Sequence, residues 1–233
     1  MYTPAAIAGF IGDSLRRLQL DKLDLILLHC PPTPVFGRDD IFAELEKQKA
    51  RGNIASYGVS IEKVDEGLKA MEYGISAIEV IFNMFRLKPL DALFPKAVQK
   101  QVGIIARVPL ASGLLTGKYT AGTVFGPHDH RTYNRDGAAF DKGETFSGVP
   151  YEKGLAAVEE LKNVFATDDL APIAIRWVLM HGAVSVVIPG ASRVEQVLSN
   201  VRAASLPPLT DTQVEAVRAV YDRLLRDEIH PQW

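Results

Sequence analysis

The sequence predicts an α/β protein organised on a parallel sheet. Three observations point there. Five short apolar runs rich in Leu, Ile and Val recur along the chain. They alternate little between apolar and polar, as strands covered on both faces do. The stretches between them carry apolar residues at helical spacing instead, and strand-helix alternation of this kind builds βαβ units.

Ile7, Phe10, Ile11, Leu15 and Leu18 form the stripe of a first helix, with Thr3 as N-cap and Pro4 at the first helical position. Residues 23–29 (LDLILLH) read as the first strand and residues 54–59 (IASYGV) as the second. Val64, Leu68 and Met71 mark a helix after Ser60. Residues 77–82 (AIEVIF) and 102–108 (VGIIARV) supply two further strands. From 111 to 150, Gly, Thr, Asp and Pro dominate without sustained period. A loop this long after a strand is usually functional, because such loops build the active face of an α/β barrel. Leu155, Val158 and Leu161 open the next helix, and Trp177 sits in another with Ile173, Val178 and Met180. Residues 184–188 (VSVVI) read as the fifth strand, followed by a helix through Val194, Val197, Leu198 and Val201. Thr210 and Gln213 fit a capping box that opens a last helix through Val214, Val217, Tyr221 and Leu224.

Composition narrows the function classes. The 233 residues are 47% hydrophobic and 23% charged, so the chain is globular rather than disordered. A net charge of −2 without a Lys/Arg run gives no footprint for nucleic acid. No apolar stretch approaches a membrane span, and residues 1–4 (MYTP) open no secretory signal, so the expectation is one cytoplasmic domain over residues 1–233. The single cysteine, Cys30, excludes an internal disulfide.

His29 closes a buried strand and is followed by prolines, where barrel enzymes place catalytic groups. The alternative is a partly buried histidine at a strand end. Adjacent strand residues face opposite ways, so Cys30 is expected not to share the pocket of His29. His128 and His130 lack the further ligands that a closed zinc site needs, and no metal is expected. Phe125, Tyr133 and Phe140 either line a pocket or form the long loop's own cluster.

Several motifs run in a familiar order. Asp13-Ser14-Leu15-x-Arg17-Leu18 precedes Asp21-x-x-Asp24-Leu25-x-x-Leu28-His29-x-Pro31. Gly58-Val59-Ser60, Phe82-Asn83, residues 109–119 (PLASGLLTGKY), and residues 187–191 (VIPGA) with Asn200 follow. Together they resemble the aldo-keto reductase family over nearly the whole chain. The resemblance implies a (β/α)8 barrel that reduces aldehydes or ketones with NADPH or NADH bound at its C-terminal face. Its active site is a tetrad of tyrosine, lysine, aspartate and histidine, of which His29 matches the histidine. The other three belong to the first barrel strands. With five strands of eight, corresponding to the fourth through eighth, and roughly 30 residues per βα unit, about 90 residues are expected to be missing. The chain therefore reads as N-terminally truncated and inactive alone. The alternative is a non-catalytic cofactor-binding or interaction protein derived from the same barrel.

The cofactor side is implied in more detail. Ser60 matches the residue that bonds the nicotinamide carboxamide, but Ile61 stands for the family's asparagine and Glu79 for its glutamine. Arg107 occupies the place of an aromatic that stacks on the nicotinamide, which a planar guanidinium can also do; the alternative is a surface-directed arginine. Pro109, Leu110, Ser112, Gly113 and Leu115 fall in the segment that clasps the pyrophosphate. Gly190, Ala191 and Arg193 resemble the adenosine 2′-phosphate site, Gln196 holds a position that is commonly arginine, and Asn200 matches the adenine contact. The implied cofactor is NADP, with NAD as the alternative, and the implied partner is a small carbonyl substrate. Unpaired apolar edges at 23–29 and 184–188 carry an expectation of self-association.

Overall fold

The computed structural model describes residues 2–233. Helix α1 (Pro4–Leu18) begins as its sequence requires: the Thr3 side chain accepts from the Ala6 amide at 3.2 Å and Pro4 takes the first turn. Strand β1 (Leu23–Leu28) and helix α2 (Asp39–Ala50) lead to β2 (Ile54–Ile61) and α3 (Val64–Ala70). Then come β3 (Ala77–Ile81), α4 (Leu93–Lys100) and β4 (Gly103–Arg107). The long loop carries only a short helix, α5 (His130–Tyr133), besides brief 3₁₀ turns. Helices α6 (Tyr151–Phe165) and α7 (Ala171–Leu179) precede β5 (Val184–Val187), and α8 (Val194–Ala203), α9 (Asp211–Leu224) and α10 (Arg226–Ile229) complete the order. The capping box at α9 is formed: Gln213 N–H donates to Thr210 Oγ1 at 3.3 Å, and Gln213 Oε1 accepts from the Thr210 amide at 2.9 Å.

All five strands lie in one sheet in sequence order, and every neighbouring pair is parallel. The α/β parallel sheet expected from the sequence is therefore present. Parallel order puts all five carboxyl ends on one side, which is what positions a site there. The central strands are covered on both faces; Val59, Ile61, Ile78 and Ile104 are fully buried. The edge strands are not: Leu25 of β1 and Val186 of β5 stay exposed, as does Ile188 just past β5. No helix among the described residues is long and apolar enough to cross a membrane.

Besides the one-turn helices α5 and α10, two helices lay outside the sequence reading. In α2, Ile41, Phe42 and Leu45 make a narrow apolar stripe among seven polar or charged residues. In α4 the interior Pro95 looks like a breaker, but it falls in the first turn, where its missing N–H has no partner to lose. Strand ends also moved. β1 stops at Leu28, and Cys30 turns the chain with φ +40°.

Candidate active site

At the carboxyl ends of the strands lies a cavity of about 650 Å³. His29 and Cys30 enter it after β1, Glu62 after β2, Glu79 from β3, Arg107 from the end of β4, and Phe140, Asp141 and Glu144 from the long loop. Its centre is Arg107, with a side chain only 7% exposed. The Arg107 Nη2 donates to Glu62 Oε1 at 2.8 Å and to the Ile61 carbonyl at 3.2 Å, while Nη1 donates to Glu144. Nε faces Glu79 at 3.8 Å, beyond hydrogen-bond reach, and has no partner among the described residues; nor does Glu62 Oε2. The alternative of a surface-directed Arg107 is thereby excluded.

One guanidinium among three carboxylates leaves a charge surplus. Burial pushes the Glu62 carboxyl up to about 7 against the pull of Arg107, and the charges of Glu144 and Asp141 push the same way. Arg107 loses by desolvation but gains more from Glu62 and Glu144, so it stays charged. The Cys30 thiol lies 3.3 Å from Glu62 Oε1 and 3.4 Å from Ser60 Oγ, and burial pushes it up to about 12, which leaves no thiolate nucleophile at neutral pH.

The expectation that Cys30 and His29 occupy different pockets is corrected here. Both line this cavity, because the strand ends at Leu28 and side-chain alternation does not continue through the left-handed turn at Cys30. Ser60 is completely buried beneath Cys30 and lines no described cavity. Neither nearby tyrosine offers a free acid: the Tyr2 hydroxyl donates to the His29 carbonyl at 2.9 Å, and the buried Tyr57 hydroxyl sits 2.6 Å from the Tyr73 carbonyl.

A second cavity of about 650 Å³ adjoins the first. Pro109, Leu110, Ser112 and Gly113 line one side, Gly190 and Gln196 another, and His130 and Arg131 come from the loop. Phe140 and Glu144 line both cavities and so form the wall between them. The chain reaches this shape through a run of left-handed residues: Val108, Ala111 and Ser112 at φ 52°, 47° and 53°, then Gly113 at 98°. A Cβ on Gly113 would fall 2.3 Å from the Tyr119 hydroxyl, so only glycine fits. The Ser112 hydroxyl donates to the Glu144 carbonyl and accepts from the Phe146 amide, both at 3.0 Å. Gln196 Oε1 accepts from the amides of Ser192 at 2.7 Å and Arg193 at 3.1 Å, closing the start of α8. Leu115 is buried, Ala191 and Arg193 are exposed, and Asn200 is half-buried; none of the four lines either cavity. In the loop, Asp129 is taken up by Arg131 through two hydrogen bonds from the guanidinium and one from the backbone amide, which hold its carboxyl down at about 2.

A family model described as the Aldo/keto reductase family matches residues 1–222. The chain belongs to the aldo/keto reductase family. It is 33% identical over 232 residues to an aldo-keto reductase of Strobilurus tenacellus, covering 93% of this chain and 65% of that protein. To an NADP(+) aldo-keto reductase of Schizosaccharomyces pombe it is 26% identical, covering 94% of this chain and 63% of the relative. Among solved structures, a glycerol dehydrogenase of Gluconobacter oxydans superposes with a TM-score of 0.77 at 29% identity, over 100% of this chain and 68% of the other. The chain thus spans just under two thirds of the length of these curated relatives.

For an aldo/keto reductase, the structure gathers His29, Glu79 and Arg107 in one cavity, and Pro109, Leu110, Ser112, Gly113, Gly190 and Gln196 in the next. Sequence reasoning missed Glu62, Asp141 and Glu144. Glu62 stands two residues beyond Ser60 in the motif and was within reach of the reading; the two loop residues carry no motif. Arg107 Nε–H and Glu62 Oε2, on two residues that line the first cavity, are a buried donor and a buried acceptor without a partner among the described residues. A primary carboxamide needs that pair, so the residues present fit the nicotinamide end of the family's cofactor.

Proposed function

We propose that this chain carries the cofactor-binding part of an NAD(P)H-dependent carbonyl reductase. In this reading its five strands correspond to the fourth through eighth strands of the barrel. The observation that carries it is the order of parallel strands with His29 at the end of β1 and two adjoining cavities at their carboxyl ends. NADPH, when bound, would supply the hydride to a carbonyl carbon and leave as NADP+. His29, exposed at the strand end, hydrogen-bonds the substrate oxygen and orients the carbonyl. Arg107 and Glu62 hold the nicotinamide carboxamide in place of the family's asparagine, with Glu79 beside them. Residues 109–113 cradle the pyrophosphate with their left-handed backbone. Arg193, exposed beside the start of α8, favours NADP over NAD through the 2′-phosphate. Reduction leaves an alkoxide that must take a proton, and these 233 residues supply only the histidine of the tetrad. Turnover is therefore absent in this chain alone.

A non-catalytic interaction role without cofactor is favoured by one observation: Ser112 and Gln196, cofactor contacts in the first reading, spend their hydrogen bonds inside the chain. Two measurements on the purified chain separate the readings. Fluorescence titration is expected to give weak binding of NADPH, weaker still for NADH, with the preference lost in Arg193→Ala. Oxidation of NADPH with a panel of aldehydes is expected to stay at background. Turnover abolished by His29→Ala would overturn the claim of inactivity, and no binding of either cofactor would overturn the whole reading.

A further inference from the structure

The wall between the two cavities does not stand on its own sequence. Residues 141–148 are buried for the most part, yet they contain no helix longer than one turn. Behind them packs Trp233, only 6% exposed. Its indole N–H donates to Asp141 Oδ1 at 2.9 Å, and the same oxygen accepts from the Gly143 amide at 2.7 Å. Arg86 lies over the Trp233 ring with 4.1 Å between guanidinium carbon and centroid, and its Nη2 donates to the Glu62 carbonyl at 2.8 Å. Both glycines of the segment are cut to fit this pair. A Cβ on Gly148 would meet the Trp233 ring at 2.3 Å, and one on Gly143 would meet Arg86 Nη1 at 2.2 Å. From there the segment reaches the site: Glu144 pairs with Arg107, its carbonyl accepts from Ser112, and Ser147 Oγ accepts from Asn83 at 2.7 Å.

We propose that Trp233, acting with Arg86 and Asp141, is the positioning residue that holds residues 141–148 as the wall between the cavities and thereby seats Glu144 on Arg107. A core filler alone would need neither an indole N–H aimed at Asp141 nor two glycines on the facing segment. Trp233 lines neither cavity, so it acts through the wall and not on a ligand.

Cys30 provides a probe that requires no cofactor and no turnover. It is the only cysteine, and it sits beside Glu62 and Arg107 in the cavity that the wall closes. In the full chain, Trp233→Ala and Asp141→Ala are each expected to raise the rate of Cys30 labelling by a disulfide reagent at least tenfold. Trp233→Phe keeps a ring over Arg86 without the N–H and is expected to fall between them and the parent. Amide exchange should quicken at Gly143, Phe146 and Gly148 while Ile78 and Val80 in β3 keep their protection. Glu144→Gln should raise labelling by the same route, so that adding Trp233→Ala to it brings no further rise. Unchanged labelling, equal loss of protection in β3, or effects of the two substitutions that simply multiply would each overturn the proposal.

Discussion

His181 is enclosed by aromatic rings, with Trp177 at 4.6 Å, Phe82 at 4.9 Å and Phe94 at 6.4 Å between centroids. Burial, reinforced by the charge of Arg218, lowers its pKa to about 4. Unfolded, the ring takes a proton near the ordinary histidine value of about 6.5. The folded state is then disfavoured as pH falls from that value toward 4, by about 3 kcal/mol at most. Glu62 has the opposite slope in the same window. Its folded carboxyl titrates near 7 against an ordinary 4.5, so its contribution is present below 4.5 and lost as pH rises through 7. The two partly cancel in the parent chain, and single variants separate them. Glu62→Gln is expected to raise the stability at pH 8, by about 1–3 kcal/mol, and to steepen the acid loss; His181→Phe is expected to remove the acid loss and leave the alkaline one. Urea denaturation between pH 4 and pH 8 measures both, and parallel pH curves for parent and variants would contradict the assignment. At this scale the motifs singled out His29 and Arg107, which the structure brings to one cavity. They could not reveal that Arg107 is neutralised by Glu62 and Glu144, 45 and 37 residues away, because pairing across such separations is set by packing. They were equally silent on His181, whose titration follows from three rings on two helices and a strand end.

Among the elements, the five strands were legible because a buried parallel strand is written as a compact run of Leu, Ile and Val. Their last residues were not. The chain leaves β1 and β4 through left-handed residues, Cys30 and Val108, that no composition rule marks. Helix α2 escaped because three apolar side chains suffice to dock it, and the rest of its surface is solvated. Gly58 tests how closely the strands are spaced. Gly58 sits in β2 opposite Leu27 of β1 and Ala77 of β3. A Cβ there would fall 2.2 Å from the Ala77 carbonyl oxygen and 2.9 Å from Leu27 Cδ2. Backbone in a hydrogen-bonded ladder cannot give way by that much without breaking pairs on both sides. Gly58→Ala is therefore expected to cost about 3 kcal/mol or more, read as a lowered urea midpoint. A variant as stable as the parent would mean that β2 and β3 can separate without loss, against the register described here.

The whole molecule is governed by the two ends of its sheet. Both edge strands are apolar and bare, and helices α1 and α8 carry further exposed apolar side chains. Val194 and Val201 on α8 are 70% and 66% exposed, and Phe10 on α1 is 60% exposed. Isolated apolar side chains at a surface need no explanation, but here several fall on α1 and β1 and several on β5 and α8. Edge strands in stable monomers are usually protected by charges, prolines or bulges. Asp24 on β1 is the one charged residue in either edge strand, and Pro31 and Pro189 only flank them. We propose that the isolated chain associates with itself through these edges. Sedimentation velocity is expected to show species larger than a monomer, growing with concentration across the micromolar range. Val186→Lys together with Val201→Glu places charge on the β5 end without touching the buried core, and should shift the distribution toward monomer while leaving the melting transition in place. If the parent chain sediments as a single monomer and melts in one sharp step, its edges carry no such penalty. The apolar rows on α1 and α8 would then have to be tolerated in water by this fold.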